Sequence, residues 1–88
     1  MQDFSKNVHG WKPSEDDYRL IFREVNGLWV EITNNLPGYF GMTLADYMSQ
    51  MGLTVPYGTQ FCRIQRDDLD FEYRDMHSYV RIDVKRMQ

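Results

Sequence analysis

The sequence predicts a single α+β domain: a three- or four-stranded antiparallel sheet with one or two helices on one face. Three observations carry that prediction. The C-terminal third alternates apolar and polar residues in three short runs joined by very short connections. A capped amphipathic segment lies in the middle of the chain. The 88 residues are too few for a second core and bury about 64% of the unfolded surface. Composition agrees with a globular chain, at 42% hydrophobic, 15% aromatic and 26% charged.

The three runs are Gln60–Arg66, Leu69–Arg74 and Tyr79–Lys85. In the second, Leu69, Phe71 and Tyr73 alternate with Asp70, Glu72 and Arg74; in the third, Val80, Ile82 and Val84 face the core. The connections Asp67-Asp68 and Asp75-Met76-His77-Ser78 are too short for parallel crossovers, so the runs form an antiparallel meander. Upstream, Thr43 is a helix cap with Asp46 at the third helical position, and Met42 can staple onto Tyr47. Leu44, Tyr47, Met48 and Met51 form the apolar stripe, and Gly52 ends the helix. Leu28–Thr33 reads as a strand, broken by the turn-rich Asn34–Gly38.

Residues 14–26 admit two readings. As a helix, Ser14 caps, Glu15, Asp16 and Asp17 sit at the positive end of the dipole, and Tyr18, Ile21, Phe22 and Val25 share one face before Gly27. As a strand, Asn26-Gly27 is a hairpin turn into Leu28–Thr33. The helix accounts for more residues, giving the order αβαβββ; the order is ββαβββ if residues 18–33 form a hairpin. Residues 1–13 read as an N-terminal arm anchored by Trp11, and 14–88 as the domain.

Several function classes are disfavoured. No apolar run is long enough to cross a bilayer, and the N-terminus lacks the basic start and apolar stretch of a secretory signal, so a cytoplasmic location is expected. The single cysteine, Cys62, excludes an internal disulfide and a multi-cysteine zinc cage. Cys62 and His77 are the only nucleophile–base candidates, and a cysteine in a strand between Phe61 and Ile64 is commonly inert. No His or Cys pair has metal-ligand spacing, and Asp67–Glu72 lacks the glycine and closing glutamate of a calcium loop. The expectation is a protein that is not an enzyme, with no catalytic residues, metal or cofactor.

Two binding readings stand. Between Arg23 and Arg63 there is no Lys or Arg, and the gap holds Trp29, Tyr39, Phe40 and a methionine-rich helix, a composition suited to an interface. The first reading is a protein-binding accessory factor or inhibitor of phage or bacterial type. In it Trp29, Tyr39 and Phe40 are apolar anchors, while Asp67, Asp68 and Asp70 form an acidic rim facing a basic partner. The alternative is a small regulator of RNA or single-stranded nucleic acid using Arg63, Arg74, Arg81 and Tyr79, with Phe61, Gln65, Tyr73 and Lys85 nearby on the strands. Against it stand a net charge of −3 and the acids Asp70, Glu72 and Asp83 on the same strands. A small sheet also leaves an open edge, so a homodimer is a further expectation.

Overall fold

The computed structural model describes residues 17–33 and 39–87; the expected arm over 1–13, the Ser14 cap and the break at 34–38 lie outside the described residues. Within them are strands β1 (Tyr18–Val25), β2 (Leu28–Glu31), β3 (Phe61–Arg66), β4 (Leu69–Asp75) and β5 (Val80–Arg86), with helix α1 (Leu44–Met51) between β2 and β3. The strands make one antiparallel sheet in the order β2-β1-β5-β4-β3. The order among the described residues is therefore ββαβββ, and the sheet has five strands where three or four were expected.

The helix expected over 14–26 is a strand from Tyr18 onward. Asn26 (φ 53°) and Gly27 (φ 85°) take the left-handed conformations a tight hairpin turn needs, and Val25 pairs with Leu28. Tyr18, Ile21, Phe22 and Val25 fit a helical stripe by spacing, but strand alternation separates them. Tyr18, Leu20 and Phe22 enter the core opposite Val84, Ile82 and Val80 of β5, while Ile21 and Val25 point to the other side. The far end of the chain decides the conformation here, through a pairing that no local window contains. As the second strand from the edge, β1 has hydrogen-bonding neighbours on both sides.

The meander β3-β4-β5 and helix α1 lie where the sequence puts them. Thr43 Oγ1 accepts the Asp46 backbone N–H at 3.1 Å, and Gly52 closes the helix at φ 69° with its N–H turned to the Met48 and Ser49 carbonyls. The helix covers one face of the sheet and inserts Tyr47, which is fully buried among Tyr18, Phe22 and Tyr39.

Gly52 has a second constraint, because a β-carbon there would lie 2.7 Å from the Arg66 guanidinium. Gly52→Ala is expected to cost about 1–2 kcal/mol, a Tm lower by roughly 5–10 °C. Thermal unfolding checks it, and an unchanged Tm would show that neither the left-handed turn nor the Arg66 contact constrains the site.

The two sheet edges differ. At β2 the chain from Gly41 to Thr43 folds back: Gly41 N–H donates to Glu31 O, Glu31 N–H donates to Met42 O, and Val30 bridges Thr43. The outer edge of β3 has no strand partner among the described residues.

Candidate functional site

The hairpin turn at Asn26-Gly27 carries Leu28 and Trp29 past the first turn of α1, and the Val30–Thr43 bridge ties the strand to the helix cap. Between them lies a groove of about 340 Å³ walled by Leu28, Trp29, Leu44, Ala45 and Met48. Its walls are apolar, and Leu28 is 58% exposed, with Val25 exposed opposite it in register. Two exposed acids lie nearest in the chain: Glu24, paired with Trp29 across β1–β2, and Asp46, next to Ala45.

The six residues expected to bind a partner do not come together. Trp29 is half-buried and lines the groove. Tyr39 joins the core, stacked on Tyr18 at 5.6 Å and edge-on to Tyr47 at 5.7 Å, whereas its neighbour Phe40 is exposed. Asp67 and Asp68 form the β3–β4 turn, at the end of the sheet opposite the β1–β2 turn that holds Trp29. Asp68 accepts a hydrogen bond from the Arg86 side chain. Asp70 is buried on β4 and held by Arg63, whose Nε and Nη2 both donate to it. That contact keeps the Asp70 carboxyl below the usual carboxylate range. The acidic rim beside the aromatic anchors is thus not assembled, and the acids beside the groove are Glu24 and Asp46.

Sequence reasoning missed Glu31. It lies on the core face opposite Phe22, 1% exposed, with Oε2 accepting the Thr33 N–H at 2.8 Å and Oε1 buried without a hydrogen bond. Burial pushes its carboxyl up to about 7, against the pull of the Thr33 and Ile21 backbone N–H groups. Alternation beside Trp29 placed Glu31 on that face, but nothing local marked the face as the core.

The sheet face turned away from α1 is charged. Register aligns Arg19, Asp83, Glu72 and Arg63 in one row, and Ile21, Arg81, Arg74 and Phe61 in the next. Arg23, Lys85, Asp70 and Gln65 share this face. Of the eight Lys and Arg among the described residues, six lie here against three acids, for a net +3 on a chain of net −3. Tyr73 leaves this group, since alternation packs it against the core, and Tyr79 is half-buried just before β5.

Cys62 is half-buried opposite Tyr73, and His77 is exposed in the β4–β5 connection; no hydrogen bond joins them. Among the described residues no group of three or more His, Cys, Asp or Glu is placed to hold a metal ion. No helix there is long and apolar enough to cross a membrane. No protein-family model, curated protein or solved structure matches the chain.

Proposed function

We propose that the domain is a non-catalytic protein-binding module of the cytoplasm, an accessory factor or inhibitor that grips an apolar segment of a partner in the groove between β2 and α1. The observation that carries this reading is the groove itself. Its walls are apolar, its strand and helix sides are tied together at Val30 and Thr43, and Leu28 stays exposed at its mouth. Isolated exposed apolar side chains are ordinary, but a fixed apolar concavity bordered by them is a binding feature. Glu24 and Asp46 beside it favour a segment flanked by basic residues.

Leu28→Glu tests the reading, because an exposed wall residue can change without disturbing the core. The tagged domain is used to capture partners from host lysate treated with nuclease. Wild type is expected to retain a stoichiometric protein band, and Leu28→Glu to lose it by tenfold or more with Tm unchanged within a few degrees. A band held equally by Leu28→Glu moves the contact away from the groove. A band that disappears on nuclease treatment refutes a direct protein contact.

A further inference from the structure

The charged face holds an arrangement that cross-strand ion pairing leaves incomplete. Arg74 and Arg81 are directly opposite each other on β4 and β5. Like charges in that position repel, and in each the Nε is buried without a hydrogen bond. The neighbouring acids satisfy them only in part. Asp83 is held by Arg19 at 2.6 Å, and its 3.3 Å approach to Arg81 Nε lacks hydrogen-bond alignment. Asp70 is held by Arg63, and Glu72 reaches Arg74 only at 3.5 Å. The Nε groups are enclosed, so an external anion with several acceptor oxygens would meet the outer nitrogens of these two cross-strand arginines, whose side chains are 38% and 23% exposed.

Beside them the Arg74 guanidinium lies 4.5 Å from the centre of the Phe61 ring, and Phe61 is 49% exposed. Lys85 and the outer part of Arg63 extend the positive surface over β3–β5. An isolated small anion would use the arginine pair and leave the aromatic ring idle. A chain of phosphates bearing flat bases uses both.

We propose that this face binds single-stranded nucleic acid, with Arg74 and Arg81 clasping a backbone phosphate and Phe61 stacking a base. Unpaired bases suit an aromatic ring lying on a sheet, whereas among the described residues neither a helix nor a strand ribbon projects from this face to enter a duplex groove. The site is on the side of the sheet opposite the groove, so it adds a second surface to the protein-binding module.

The test is fluorescence anisotropy of labelled oligo-dT and oligo-U of about 12 nucleotides in about 50 mM salt, repeated at rising salt. Wild type is expected to bind, with log affinity falling by about 0.7 per phosphate contact for each tenfold rise in salt. Arg74→Ala and Arg81→Ala should each weaken binding about tenfold or more and flatten that slope by about 0.7. Phe61→Ala should weaken it fivefold or more and leave the slope unchanged. Arg81→Lys, which keeps the charge and the stability of the strand, should lose affinity at constant slope. Arg66→Ala removes the same charge from the α1 side of the sheet and should change affinity less than about threefold. No binding by wild type overturns the proposal, as does an equal loss in Arg66→Ala and Arg81→Ala. Tighter binding of an oligoglutamate peptide than of either oligonucleotide also overturns it, assigning the face to an acidic protein.

Discussion

Tyr47→Ala is expected to cost about 3–5 kcal/mol, a third to all of the stability of a domain that has roughly 5–10 kcal/mol in total. Tyr47 is the one residue of α1 that is fully buried. Its ring meets Phe22 at 5.9 Å and Tyr39 at 5.7 Å, and its hydroxyl lies 3.2 Å from that of Tyr18. Truncation would open a cavity at the seam between helix and sheet and remove the surface on which Tyr39 rests. Tyr47→Phe keeps the ring and removes only the hydroxyl, so about 1–2 kcal/mol is expected. Urea unfolding followed by circular dichroism separates the two. A loss under about 1 kcal/mol for Tyr47→Ala would show that α1 is held to the sheet by other contacts.

Stability is expected to fall as pH rises through the mildly acidic range, and Glu31 is the cause. Its carboxyl is pushed from 4.5 up to about 7 in the folded chain. Below pH 4.5 folded and unfolded chains both hold the proton and burial is uncharged. Between 4.5 and about 7 the unfolded chain ionises first, so stability declines; above that window the loss is constant. The full effect is roughly 3 kcal/mol at most. Asp70 acts in the opposite direction: Arg63 lowers its carboxyl, so that contribution is present at neutral pH and is lost as acid protonates it. Glu31→Gln should remove the loss at higher pH. At pH 8 a gain of about 1–2 kcal/mol is expected, since a buried amide with one unpaired end offsets part of the benefit, and at pH 4.5 no gain. Thermal melts at both values decide it. An equal change in Tm at both would show that Glu31 does not titrate across this window.

How much was legible depended on how local the determinant was. Helix α1 is set within ten residues by Thr43, Asp46, the apolar stripe and Gly52, and its spacing could be read directly. The meander followed from connections too short for any other pairing. The β1–β2 hairpin was harder, because the apolar positions of 18–25 satisfy a helical stripe and the alternation that settles the matter needs β5 as its partner. At the candidate site, Trp29 was legible as an aromatic in a charge-poor segment. Tyr39 and Phe40 were not separable: adjacent rings of similar size part just before the turn at Gly41 (φ 84°), Tyr39 packing on the core and Phe40 staying exposed. Asp70 reads as a solvated acid until register brings it beside Arg63. The groove was invisible, since its walls come from a strand and a helix whose docking the sequence leaves open.

The unequal sheet edges set a limit on assembly. At β2, the returning chain occupies Val30 and Glu31 and leaves too short a run for another strand to add. Only β3 can accept a new neighbour among the described residues. If copies join by extending their sheets, each uses its single acceptor edge in the first encounter, and no second one is left to propagate. On the described residues, such contacts close into a pair and do not propagate edge to edge into a fibre.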